Sequence, residues 1–339
     1  MPPEKENLVL AVVSLGSIGR RHLRNLRALE PEARLIACRL RGAAPLPPEI
    51  SALADEVVTG LDAALSLRPD GAVVCSPAST HLEAGLALAR AGAHLFMEKP
   101  LAVSAEGVRA LLDECSRRSL TLMVGYNLRF HPPLLALKEA LDQGRIGRLL
   151  YLRAEAGQFL PQWRPGSDYR QGVSARRELG GGALLELSHE LDLARWLGGE
   201  VAALSARVAR VGDLEIDVED LAEVVLTFRN GALGSVHLDM LAQPGLRGCR
   251  LVGSAGVLAW DNQGGPPRCH DVAGEAWQDL LPDEMEIDPN QMYLDEMRHF
   301  LERLRAGGRP SPDGEDGLAV LRLVEAALLA GQQGKEVAL

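Results

Sequence analysis

Residues 8–19 of the 339-residue chain read LVLAVVSLGSIG, an apolar run leading into Ser14-Leu15-Gly16-Ser17-Ile18-Gly19. A strand covered on both faces needs a continuous apolar run, and the residues after this glycine pattern take up helical periodicity. Between a strand and a helix, the pattern predicts a loop that cradles a dinucleotide phosphate. Gly16 lets the backbone approach a pyrophosphate, Gly19 lets helix and strand pack closely, and the helix N-terminus offers N–H groups and the positive end of its dipole. Ser17 and Ile18 complete the cofactor-contacting loop. Ser14 stands where such loops usually carry their first glycine.

The same alternation continues through residues 1–125. Segments 8–14, 34–40, 55–59, 71–76, 94–98 and 120–126 read as strands with helical stretches between them. The fold class expected is therefore α/β, with an N-terminal Rossmann domain built on a doubly wound parallel sheet. Thr80 with Glu83 reads as a capping box, Gly92 as the end of that helix, and Ser104 as the cap of the next. From residue 126 the pattern changes. Pro132-Pro133 opens a helix that Gly144 closes, and Asn230-Gly231 sits between two alternating runs as a hairpin turn. Gly253-Ser254-Ala255-Gly256 suggests another antiparallel turn. Residues 126–339 are thus expected to form a C-terminal α+β domain with a largely antiparallel sheet, to which the resemblance described below adds an open sheet face for substrate binding and oligomerisation. Its C-terminal helices, at about 288–335, are expected to pack back on the Rossmann domain.

Composition narrows the partners. Apolar residues make up 47% and charged residues 24%, as in ordinary globular proteins, and the net charge of −10 argues against nucleic acid or anionic membrane surfaces. No segment approaches the length of a membrane span. The five cysteines (Cys38, Cys75, Cys115, Cys249, Cys269) form no CxxC pair and read as reduced thiols, which points to the cytoplasm. Cys269-His270 has no second ligand pair at zinc spacing, so no metal is assigned.

Three further stretches carry chemistry. Where an acid would accept hydrogen bonds from the ribose of NAD, Ala37-Cys38-Arg39-Leu40-Arg41 offers Arg39 and Arg41, which suit a 2′-phosphate. NADP(H) is the preferred cofactor and NAD(H) the second candidate. Met97-Glu98-Lys99-Pro100 puts a lysine at the carboxyl end of a strand, on the edge where open α/β sheets bind ligands. At the domain junction, Tyr126, Asn127 and Arg129 are candidates to contact cofactor or substrate, and a plain hinge explains them as well. Trp163, Arg164, Asp168, Tyr169 and Arg176 form an irregular segment with the composition of a loop over a polyhydroxylated ligand, or of a solvated loop.

The phosphate loop, Glu98-Lys99-Pro100, and Gly180-Gly181-Gly182 leading to His189 and Asp192 resemble the family of glucose–fructose oxidoreductase, inositol dehydrogenase and MocA over most of the chain. The resemblance implies a nicotinamide-dependent oxidoreductase acting on a sugar, cyclitol or nucleotide-sugar-like substrate. It also implies a homo-oligomer, dimer or tetramer, formed through the C-terminal sheet. Carried over, Lys99 hydrogen-bonds the reacting oxygen and His189 moves the hydroxyl proton, so both also contact substrate. Glu186 takes the place of the family's usual Asp, three residues before His189 where the common pattern has four. Ser76, Pro77 and His81 match the nicotinamide-side loop, though turn formation explains them nearly as well, and Glu98 and Asn127 join the cofactor-binding set. Residues 186, 189 and 192 are expected to lie on one helical stripe. Two other readings stay open: redox-neutral glycosidase or lyase chemistry assisted by a retained nicotinamide, and a non-catalytic dinucleotide-sensing regulator. Retention of both Lys99 and His189 speaks against the sensor.

Overall fold

The computed structural model describes residues 7–39, 46–272, 274, 276–282 and 286–339. It divides into two compact units, one of Met1–Asn127 with Asn290–Ala319, the other of Leu128–Pro289 with Val320–Leu339.

The first unit is a parallel six-stranded sheet of β1 (Val9–Val13), β2 (Arg34–Arg39), β3 (Glu56–Thr59), β4 (Gly71–Val74), β5 (His94–Met97) and β6 (Leu122–Val124), in the order β3-β2-β1-β4-β5-β6. Reversal of strand order between β1 and β4 leaves a crevice at the carboxyl ends of the strands, where such sheets bind ligands. Helices α1 (Ser17–Leu29), α2 (Pro48–Ser51), α3 (Leu61–Ser66), α4 (His81–Ala91) and α5 (Val108–Arg117) make the crossovers. Apolar side chains run unbroken along β1 and β4 because both faces are covered; Val12, Val13 and Val74 are fully buried. On α1 the buried stripe is Gly19, His22, Leu23 and Leu26, the i, i+3, i+4, i+7 spacing of one helix face, with arginines outside it.

Two expected caps are replaced. Thr80 makes no cap bond to α4; its hydroxyl donates instead to Ser76 Oγ at 2.8 Å and Pro77 O at 2.9 Å. Ser104 lies before the start of α5, whose N-cap is Gly107 in the left-handed region. Gly92 ends α4 at φ +93°, as expected of a glycine C-cap.

The second unit holds α6 (Pro132–Asp142), β7 (Leu149–Gly157), α7 (Ala183–Glu186), α8 (His189–Gly198), β8 (Val201–Ala209), β9 (Leu221–Phe228), β10 (Leu233–Asp239), β11 (Leu246–Gly253), β12 (Gly256–Asp261), β13 (Arg268–Asp271) and β14 (Gln278–Asp279). Helix α9 (Gln291–Ala306) belongs to the first unit, α10 (Gly314–Gln333) begins there and ends in the second, and β15 (Val337–Ala338) closes the chain. The nine-stranded sheet has the order β14-β13-β12-β11-β7-β10-β9-β8-β15, antiparallel except where β7 meets β10. Asn230-Gly231 makes the hairpin between β9 and β10, with Gly231 at φ +86°. Alternation along β9 buries Ala222, Val224, Leu226 and Phe228 and turns Glu223 and Val225 outward. The sheet is therefore one-faced. Its outer face keeps Val225 and Leu233 each 51% exposed, beside His237, which lies between Glu223 and Asp239.

Candidate active site

The phosphate loop leaves β1 at Ser14, whose φ of +77° is the left-handed conformation that a glycine normally takes up at this turn. The serine is held there by its N–H, which donates to Cys38 O at 2.8 Å. Gly19 is required by packing, since a Cβ there would lie 2.0 Å from Ser14 O. At Gly16, the N-cap of α1, a Cβ would meet nothing within 4 Å. Gly16 and Ser17 are exposed, Ile18 is half-buried, and the first turn of α1 carries no acidic residue. An open glycine beside uncompensated helix N–H groups fits a dinucleotide pyrophosphate. Arg39 is half-buried at the end of β2, while Arg41 lies outside the described residues.

The loops after β4 and β5 are stitched together by a histidine. His81 is 1% exposed, with Nε2 2.6 Å from Ser76 O and Nδ1 2.8 Å from Pro100 O. Burial lowers its pKa, against the pull of those carbonyls. His81, expected at the cofactor, thus ties together the backbones of the loops after β4 and β5. Ser76 is buried and accepts the Thr80 hydroxyl, and Pro77 next to it is half-exposed.

Glu98, also expected at the cofactor, is held by the protein itself. Its carboxylate turns inward at 8% exposure, accepting from His22 Nε2 at 2.7 Å and from the Lys99 N–H at 3.1 Å. Lys99 follows half-exposed, its main chain held from beneath. Tyr126, expected at the substrate, is fully buried. Asn127 is 5% exposed and hydrogen-bonds Tyr293, whose ring lies 4.2 Å from the Arg21 guanidinium.

In the second unit the expected 186–189–192 stripe is broken. Helix α7 ends at Glu186, Leu187 leaves helical geometry at φ −102° and ψ 26°, and α8 starts at His189. Glu186 and His189 are half-exposed on separate helices, whereas Asp192 is 1% exposed and committed to Arg129. That pair is bidentate, Nε to Oδ2 at 2.9 Å and Nη2 to Oδ1 at 2.6 Å. Arg129, expected as a substrate contact, is buried at 7% exposure with its guanidinium on Asp192. Beside it, the fully buried Glu190 pairs with Arg247 Nε at 2.6 Å.

Trp163, Arg164, Asp168 and Tyr169 do come together, lining with Leu160 and Ser174 a pocket of 320 Å³ within this unit. Trp163 Nε1 donates to Gln158 O at 2.8 Å, and the Tyr169 hydroxyl accepts from Glu215 N at 3.2 Å. The Arg170 guanidinium holds the Asp168 carboxyl below the usual carboxylate range. Arg176 is not in the lining; its Nε donates to Arg170 O at 2.8 Å.

Reasoning from the sequence missed His22, Glu296 and Asp192's partner. His22 left one signal, a polar residue in the apolar stripe of α1, where burial demands a partner.

A 3-2-1-4-5-6 parallel sheet with an open glycine loop defines a dinucleotide-binding Rossmann protein carrying a one-faced-sheet domain. Residues 8–126 match the oxidoreductase family described as having an NAD-binding Rossmann fold, and residues 134–259 match the GFO/IDH/MocA C-terminal domain. The chain belongs to the GFO/IDH/MocA oxidoreductase family. It is 32% identical to a myo-inositol 2-dehydrogenase of Thermotoga maritima over 80% of each chain. A levoglucosan dehydrogenase solved with NADH and L-sorbose shares the fold over 98% of both chains, with a TM-score of 0.88 at 21% identity. The WlbA dehydrogenase from Bordetella pertussis, solved with NADH and UDP-GlcNAcA, aligns with a TM-score of 0.79 at 25% identity, over 98% of this chain and 99% of that one.

Proposed function

We propose that this protein transfers a hydride between a nicotinamide dinucleotide and a hydroxyl or keto carbon of a sugar, cyclitol or nucleotide-sugar-like substrate. The observation that carries the reading is the carboxyl edge of the first sheet, where the open Gly16 loop after β1 and half-exposed Lys99 after β5 leave strands of one crevice-forming sheet. Relatives named for a cyclitol and solved with a nucleotide sugar support a polyhydroxylated substrate. The bound nicotinamide supplies the hydride acceptor or donor. Lys99 presents an ammonium to the reacting oxygen and stabilises the charge that gathers on it. His189 takes or returns the hydroxyl proton, work suited to a group whose ordinary pKa is about 6.5. Glu186 assists from the preceding turn, and the Trp163–Tyr169 loop contributes stacking and hydrogen bonds to the substrate's hydroxyl groups. Gly16, Ser17, Ile18 and Gly19 hold the pyrophosphate, and Pro77 lies along the nicotinamide side.

NADP(H) is the proposed preference over NAD(H), because the sequence carries Arg39 and Arg41 where an acid that would repel a 2′-phosphate is usual. We expect kcat/KM to favour NADP by about tenfold or more, and the Arg39→Ala/Arg41→Ala double variant to lose most of that preference. Clear preference for NAD in the wild-type protein would contradict the assignment. A second copy is proposed to cover the outer sheet face bearing Val225 and Leu233, giving a homodimer or tetramer. Five free, buried cysteines accord with a cytoplasmic setting, and no described helix is long and apolar enough to cross a membrane.

A further inference from the structure

Beneath Lys99 the first unit buries three titratable side chains together. His22 from α1, Glu98 after β5 and Glu296 from α9 are 0%, 8% and 0% exposed, and one ligating atom from each lies within 4.8 Å of the others. Phe96 and Tyr293 wall the cluster, their ring centroids 5.1 and 6.3 Å from that of His22. The charged and titratable neighbours are Arg21, Cys75, His81, Tyr293 and Lys99.

The two carboxyl groups are not equivalent. Glu98 has a donor on each oxygen, His22 Nε2 on one and the Lys99 N–H on the other. Among the described residues, neither oxygen of Glu296 has a hydrogen-bond partner, nor does His22 Nδ1. Two carboxylates this close and out of water repel strongly, and the one without donors is the one whose charge costs more. Burial, and then the Glu98 charge, push the Glu296 carboxyl well above its ordinary range. The same trio is a candidate cation site, but both Glu98 oxygens already accept N–H groups, which favours a hydrogen-bonded bracket over a metal.

We propose that Glu98, as the carboxylate of this cluster, and His22, as its Nε2–H donor, are positioning residues for Lys99, while Glu296 stands beside them as the neutral acid. The role of the bracket rests on Lys99 acting at the reacting oxygen; the charge assignment does not. His22 then donates from Nε2, and the chain His22–Glu98–Lys99 N–H fixes the main chain from which the lysine projects.

The test compares Glu98→Gln, Glu296→Gln, His22→Leu and His22→Gln with the wild type and with Lys99→Met. Infrared difference spectra should show a protonated-carboxyl C=O band that Glu296→Gln removes and Glu98→Gln does not. Absence of that band, or a stoichiometric divalent cation in the purified protein, overturns the charge assignment. Turnover is measured with myo-inositol, D-glucose and UDP-glucose as probes, dinucleotide affinity by fluorescence, and the Lys99 main-chain position by crystallography of each variant. Glu296→Gln should keep kcat within about twofold. Glu98→Gln and His22→Leu should lose about 10- to 100-fold in kcat, with dinucleotide affinity little changed and Lys99 displaced. His22→Gln, which can place an N–H near the lost Nε2, should recover most of the kcat and the wild-type Lys99 position. Equal losses in Glu98→Gln and Glu296→Gln, or Lys99 unmoved in His22→Leu, would overturn the proposal. If Glu98→Gln does not fold, the two His22 variants decide, and indistinguishable behaviour of that pair sinks it. Wild-type turnover in Lys99→Met removes the catalytic reading of Lys99 and leaves the infrared result standing.

Discussion

A Lys99→Met protein should fold and bind the dinucleotide normally yet turn over about 10²- to 10³-fold more slowly. The separation is expected because the contact made with Glu98 is the Lys99 main-chain N–H, which any residue keeps, while the ammonium is the group proposed to meet the developing oxyanion. Methionine keeps the length and apolar stem of lysine without its charge, so packing around the half-exposed side chain should survive. Single-turnover hydride transfer measured alongside dinucleotide affinity would check this. The expected pattern is a fallen rate with affinity within about threefold of wild type, which marks an interaction made in the transition state. Turnover near wild type would take Lys99 out of the mechanism. Lys99→Arg should recover only part of the rate, since a planar guanidinium does not reproduce a compact ammonium.

The largest loss of stability is expected at Arg129. Its bidentate pair with Asp192 lies out of water, at 7% and 1% exposure, so Arg129→Met takes both of these charge-assisted hydrogen bonds from a buried carboxylate. Breaking such a pair from one side costs about 3–5 kcal/mol, and replacing both partners costs far less because no charge is left unpaired. Urea titrations of Arg129→Met, Asp192→Leu and the double variant should therefore show the double to be more stable than either single. A double variant whose loss equals the sum of the singles would contradict the pairing. The same series separates a buried brace from a substrate ligand: a ligand arginine would raise KM and leave the unfolding midpoint nearly unchanged.

The Rossmann half of the fold was largely legible because its physics is local. Doubly covered strands need continuous apolar runs, and each of the six observed strands lies inside the segment read for it. The Asn230-Gly231 turn was equally plain, since its left-handed glycine is written in the dipeptide. Polar residues at strand ends were harder. Glu98 and His81 lie beside residues proposed to meet the ligands, and which way such a side chain turns depends on partners far away in sequence. Glu98 meets His22 at a separation of 76 residues, and Arg129 meets Asp192 at 63. No periodicity reports those pairings. The 186–189–192 stripe failed for a local reason, the departure of Leu187 from helical geometry between α7 and α8. The parallel pairing of β7 with β10 was likewise hidden, because alternation records which face is buried and not which way a neighbour runs.

Direct hydride transfer is tested most plainly by incubating the protein with oxidised dinucleotide and a polyol carrying deuterium on its carbinol carbons, myo-inositol first, and weighing the dinucleotide by mass spectrometry. The account predicts reduced dinucleotide carrying one deuterium, in proportion to the ketone formed. Consumption of the polyol with the dinucleotide left oxidised, or reduction without deuterium, would contradict it.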